Sequence, residues 1–140
     1  MAEFTAVAVQ TIAAGQNALF TETPVESGRC IIHREGSGIV TVKGVTNQCR
    51  ARFRVTFGGN IAVPAGGTAG AISLAITLNG EPLQSAVMTV TPAAIGDYFN
   101  INASVFVDVT CGCCTQIAVE NISTQAVELI NANLIVERVA

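Results

Sequence analysis

The sequence predicts an all-β sandwich forming one domain over residues 1–140. Three observations carry that prediction. Apolar and polar residues alternate with a period of two in one stretch after another, as half-buried strands do. No stretch longer than about ten residues sustains the 3.6-residue apolar period of a helix. Turn-forming residues punctuate the chain at the spacing of about 8–12 residues found in sandwiches and barrels.

The runs place about ten short strands near 4–10, 17–21, 29–33, 38–43, 49–57, 71–78, 84–91, 97–109, 115–121 and 132–139. The clearest is CRARFRVTF, where Ala51, Phe53, Val55 and Phe57 face one way and Arg50, Arg52, Arg54 and Thr56 the other. In AISLAITL, Ile72, Leu74, Ile76 and Leu78 oppose Ala71, Ser73, Ala75 and Thr77. In YFNINASVFVDV, Phe99, Ile101, Ala103, Val105, Val107 and Val109 oppose Tyr98, Asn100, Asn102, Ser104 and Asp108. The Asn79-Gly80 pair marks a tight hairpin, because both residues tolerate positive φ. GVTN, AGGTAG and CGC act as further turns. NIAVPAGGTAGA connects two strong strands, and with no helix after it the glycines are not a phosphate loop.

Composition narrows the function classes. Apolar residues make up 50% of the chain and charged residues 12%, about half the usual charged share. Gly, Ser, Thr, Asn or Gln interrupts every apolar run short of a bilayer span, so no membrane segment is expected. The remaining sink for apolar surface is another subunit, which predicts an obligate oligomer. A net charge of −3 gives no diffuse basic field, so no nucleic-acid partner is expected. The N-terminus lacks the basic and apolar regions of a secretory signal. With an odd count of 5 cysteines, reduced thiols are the default expectation.

The order of these strands, with two small ones at the front and a long apolar last strand NANLIVERVA, resembles the jelly roll of the tumour-necrosis-factor and complement-head superfamily. The resemblance is architectural and covers nearly the whole chain. The collagen-like stalk that precedes such heads in many proteins is not seen, so its function does not carry over. CIIHREGSGIVTVKG, CRARFRVTFGGNIAVPAGGT, GEPLQSA and NANLIVERVA also resemble small proteins encoded among bacteriophage and prophage structural genes. Together the resemblances imply a homotrimer on a virion or other particle, with capsid proteins as partners and no enzyme activity. They also imply that strand 49–57 pairs antiparallel with strand 97–109, and that the strand beginning at Cys30 runs antiparallel to the one ending near Lys43. On that topology Cys30, Cys49, Cys111, Cys113 and Cys114 gather at one pole.

Three chemistries remain open at that pole. Thiolates suit zinc, but CGCC is not a pair of C-x-x-C knuckles, so no metal site is assigned. Disulfides depend on loop geometry. Thiols acting as small hydrophobes in a turn are the favoured account. A catalytic cysteine needs a base, and the only histidine, His33, lies three residues from Cys30 on the opposite strand face. Asp97, Asp108, Glu120, Glu128 and Glu137 are scattered, without the paired carboxylates of glycosidases. No catalytic set and no cofactor is expected.

Arg50, Arg52 and Arg54 recur at about 6.8 Å on one strand face and demand anionic neighbours. Asp108, Asn100, Asn102 and Glu137 are expected on the same side. The set is a candidate subunit interface or anion site, weighed against a solvated face with ordinary salt bridges. Small residues such as Ala103 and Ala132 are expected where subunits approach closely. The expected function is a non-enzymatic structural protein, a phage head decoration or fibre-like component made in the bacterial cytoplasm. The alternatives are a trimeric glycan or cell-surface binding head using loop Asn60–Gly70, or a self-assembling spore-surface or extracellular protein.

Overall fold

In the computed structural model, residues 2–25, 31–43, 50–110 and 114–139 are described, with Arg50 and Thr110 described by backbone only. They form two antiparallel sheets and no helix. Eleven strands run in chain order: β1 Ala2–Ala6, β2 Gln10–Ile12, β3 Glu22–Val25, β4 Ile31–His33, β5 Val40–Lys43, β6 Arg50–Ala62, β7 Ile72–Leu78, β8 Glu81–Val90, β9 Phe99–Thr110, β10 Cys114–Asn121 and β11 Val127–Arg138. The first sheet has the order β3-β1-β11-β6-β9, with β2 also on β11; the second runs β4-β5-β10-β7-β8.

The period-two faces explain the core. Phe53, Val55 and Phe57 of β6, Leu74 and Ile76 of β7, Ile117 and Val119 of β10, and Leu134 and Val136 of β11 are all fully buried between the sheets. Phe20 adds to this layer, its ring edge-on to Phe57 at 6.4 Å between centroids. The expected pairing of β6 with β9 is present, from Arg50 opposite Thr110 to Ile61 opposite Phe99. Strands β4 and β5 are antiparallel, with Ile31 opposite Val42. Asn79 and Gly80 both take positive φ, 52° and 87°, as the β7–β8 hairpin requires.

Strand β3 was not expected, β8 starts at Glu81 rather than 84, and four further boundaries differ from expectation. Segment 17–21 is not a strand: Ala18 donates to Val119 O at 2.8 Å and Phe20 to Ser37 O at 3.2 Å, so it changes partner before a ladder forms. The expected strand 4–10 is split in two, β1 on one part of β11 and β2 on another. Strand β6 runs on through Gly58 and Gly59 to Ala62, still paired with β9 and β11, and Gly59 lets it pass close to Leu129, whose Cδ1 would lie 2.9 Å from a Cβ there. Strand β11 starts at Val127 rather than 132, and the positive φ of Asn131 (54°) sits where its register to β6 shifts.

Ala132 and Ala103, expected where subunits approach closely, both contact this chain's own core, Ala132 buried beside Gly59 and Ala103 half-buried. Asn121 is a fully buried polar residue whose amide is satisfied. Its Nδ2 donates to Ile12 O and Gln125 O, both at 2.9 Å, and its Oδ1 accepts from Ser123 N at 2.9 Å, tying β2, β10 and the turn before β11.

A Cβ at Gly38 would lie 2.5 Å from Ala18 O, a backbone atom held in place by the Ala18–Val119 hydrogen bond. Gly38→Ala is expected to lower unfolding stability by about 1–3 kcal/mol. Gly70→Ala, where a Cβ meets nothing within 4 Å, is expected to stay within about 0.5 kcal/mol of wild type. Urea unfolding of both variants checks the contrast.

Candidate functional site

The outward face of the first sheet brings the predicted residues together in rows across β9, β6 and β11. Arg52 is opposite Asp108, and Arg54 stands between Phe106 on β9 and Glu137 on β11. Below them Thr56 lies between Ser104 and Ile135, and Asn60 opposite Asn100.

Arg52 and Arg54 are each met by a carboxylate of their own chain. Arg52 donates from Nε to Asp108 Oδ1 at 2.7 Å and from Nη2 to Asp108 Oδ2 at 3.1 Å, the two-pronged geometry that favours arginine. The hydrogen bond to Asp108, then the carboxylate's charge, pushes the Arg52 guanidinium above its already high ordinary pKa. Arg54 Nη2 pairs with Glu137 Oε1. Thr56 Oγ1 and Ser104 Oγ share a hydrogen bond at 3.1 Å, and Asn100 Nδ2 donates to Gly59 O at 3.2 Å and Asn60 Oδ1 at 3.3 Å. Asn102 is exposed opposite Gly58. The Arg50 side chain lies outside the described residues. Arg52 and Arg54 are thus each paired with a carboxylate of the same chain.

Phe106 was overlooked in the sequence. It is 63% exposed on the edge strand β9, beside Arg54 of this arginine-bearing face. The alternation from Phe99 to Val109 already assigned position 106 to the polar side, so a phenylalanine there was the available signal. Ile135 is half-buried two strands away, and Val25 on β3 is exposed. Tyr98, just before β9, donates its hydroxyl to Glu128 Oε2 at 2.6 Å.

Of the expected cysteine pole, Cys30, Cys49, Cys111 and Cys113 lie outside the described residues. Cys114 is exposed at the start of β10, opposite Lys43 of β5. His33 is built into the fold as a packing residue. Its Nε2 meets Ser37 O at 2.8 Å, which makes Nε2 the protonated nitrogen, and its ring lies 4.6 Å from Phe4 and 6.5 Å from Phe20. Among the described residues no group of three or more His, Cys, Asp or Glu side chains is placed to hold a metal ion. No described helix is long and apolar enough to cross a membrane.

No protein-family model matches the sequence, and no curated protein matches it. Solved structures do. The globular domain of zebrafish complement 1qA protein is 9% identical with a TM-score of 0.64, covering 96% of this chain and 94% of that one. Eiger TNF from S. frugiperda is 10% identical with a TM-score of 0.70, covering 99% and 91%. Murine APRIL is 11% identical with a TM-score of 0.56, covering 95% and 97%.

The chain has a single tyrosine and no tryptophan, so the long-wavelength tyrosinate absorbance band reports Tyr98 alone. Its hydrogen bond to Glu128, with a smaller contribution from burial and then from the carboxylate's charge, holds the phenol above its ordinary pKa of 10.0. A spectrophotometric titration is expected to show that upward displacement in the wild type and its loss in Glu128→Ala. These sheets and likenesses establish the fold as a jelly roll of the tumour-necrosis-factor and complement-head type.

Proposed function

We propose that the protein is a non-enzymatic structural subunit that assembles as a homotrimer through the outward face of the first sheet and sits on a larger particle. The observation that carries the assembly is Phe106, a large apolar side chain 63% exposed on the edge strand β9, beside the paired Arg54 and two residues from Asp108. An exposed aromatic anchor among polar groups is a recurring feature of subunit interfaces. Three long strands, β6, β9 and β11, and the shorter β1, β2 and β3, at about 4.8 Å between strands and about 3.3 Å per residue, span roughly 750 Å² per subunit, close to the size of a standard interface side. A closed threefold arrangement uses that face without leaving an open end for further growth.

The particle is the second step of the proposal. The phage-like segments CRARFRVTFGGNIAVPAGGT and NANLIVERVA support a virion component, a head decoration or fibre-like part, with capsid proteins as its partners. A spore or cell-surface location is the alternative. An antibody raised against the chain is expected to mark particles released when producing cells lyse; label confined to the spore or cell surface would favour the alternative.

Native mass spectrometry tests the assembly. The expected species is three times 14.4 kDa, and Phe106→Glu is expected to give a folded chain of single mass, its β-sheet circular dichroism unchanged. A wild-type monomer, or a Phe106→Glu protein still wholly trimeric at low concentration, contradicts the proposed interface.

A further inference from the structure

The second sheet carries a polar cleft on the opposite side of the sandwich. It is a cavity of about 230 Å³ whose lining includes Asn17, Ile39, Thr77, Asn79, Gln116 and Glu120, with Ala118 as its floor. At about 30 Å³ per liquid water it has room for roughly seven or eight waters.

The fold makes this depression by a simple device. Gln116, Ala118 and Glu120 of β10 point to the same outward face, so the trough from Gln116 to Glu120 is roughly 13 Å long with the smallest side chain in the middle. One wall is the segment around Asn17, which runs beside β10 where β5 has ended: Ala18 donates to Val119 O at 2.8 Å, Asn121 to Gln16 O at 2.9 Å, and Asn17 bridges to Glu120. The other wall is the β7–β8 hairpin. Asn79 is locked there by two bonds, its N–H to Gln116 O at 2.8 Å and its Oδ1 from Gln116 N at 3.0 Å. The floor is closed to water, Thr77 being 2% and Ala118 6% exposed.

The chemistry of the lining is specific. Among the described residues no hydrogen bond or ion pair engages the side chains of Asn17, Gln116 or Glu120, and Asn79 Nδ2 is likewise left over. That leaves one carboxylate, an acceptor, among three amides that donate and accept. No Lys or Arg lines the cleft, so an anion meets only Glu120. A single carboxylate among neutral amides is a poor cage for a divalent cation, which takes six or more oxygens. Hydroxyl groups fit all four side chains at once, since each both donates and accepts, and neighbouring hydroxyls match the two oxygens of Glu120. Ile39, 40% exposed on the rim, and Ala118 offer apolar contact to ring carbons. We propose that this cleft binds a neutral, polyhydroxylated small molecule of about the size of one sugar ring. The site does not depend on the oligomeric state, because it lies on the sheet that the proposed trimer leaves outward.

The test is an amide-resolved NMR titration of the full chain with D-glucose, D-galactose, D-mannose and L-fucose, with methylammonium and calcium chloride as separate arms. The expected result is a saturable shift of the Asn79, Gly80, Ala118 and Glu120 amide signals by at least one sugar, with a Kd of about 1 mM, typical of a small open site. Glu120→Ala and Asn17→Ala, both at half-buried surface positions, are expected to weaken it about tenfold or more. Ala118→Leu is expected to abolish it by filling the floor, the two alanine variants keeping the test decisive if that variant misfolds. The proposal is overturned if no sugar moves those signals, if sugar shifts persist unchanged in Glu120→Ala, or if methylammonium or calcium alone produces them.

Discussion

Strand β6 is paired along its length on both sides, to β9 and to β11, and that double pairing decides where each of its side chains points. A one-residue slip would exchange Phe53, Val55 and Phe57 with Arg52, Arg54 and Thr56, placing charges between the sheets. The strict alternation of CRARFRVTF therefore fixes the register of the first sheet, and with it both the core and the outer face. Its cost is a row of like charges at close spacing. Asp108 and Glu137, one on each neighbouring strand, offset that cost from opposite sides, so the same ladder that buries the phenylalanines also neutralises the arginines.

On this outer face the paired Arg52 and Arg54 stand beside one exposed apolar ring, Phe106. Exposed surface ion pairs contribute little to the stability of an isolated chain. Covered by another subunit, the same pairs lose their water and become determinants of register and partner choice. The composition points the same way, since a chain with 12% charged residues presents many neutral surface positions.

How much of this was legible in the sequence depended on whether the signal was local. The faces of β6, β7 and β9 were readable because alternation is a property of neighbours in sequence. The β6–β9 pairing was reached through the architectural resemblance and the structure has it. Segment 17–21 misled because Ala18 and Phe20 are buried with strand-like spacing while their backbone groups go to two different partners. The start of β11 was hidden by the Asn131 irregularity, which puts Leu129 and Ala132, three apart, on the same buried side. The β3 strand ETPV has no apolar alternation to show, being an edge strand with little burial. The partners of Arg52 and Arg54 were anticipated by type and position. The cleft over β10 was not, because Asn17, Asn79, Gln116 and Glu120 meet only through the turn geometry of three separate segments.

The central claim is that the Phe106 face is covered in the assembled protein, and hydroxyl-radical footprinting of the wild type under native conditions tests it most directly. Phe106 and Ile95 are both substantially exposed in the single chain, at 63% and 48%, and Ile95 lies off the proposed interface in the β8–β9 connection. The account predicts that oxidation at Phe106 is suppressed in the concentrated native protein and rises on dilution, while Ile95 is oxidised equally in both. Oxidation of Phe106 at the rate of an open phenylalanine at every concentration would contradict it.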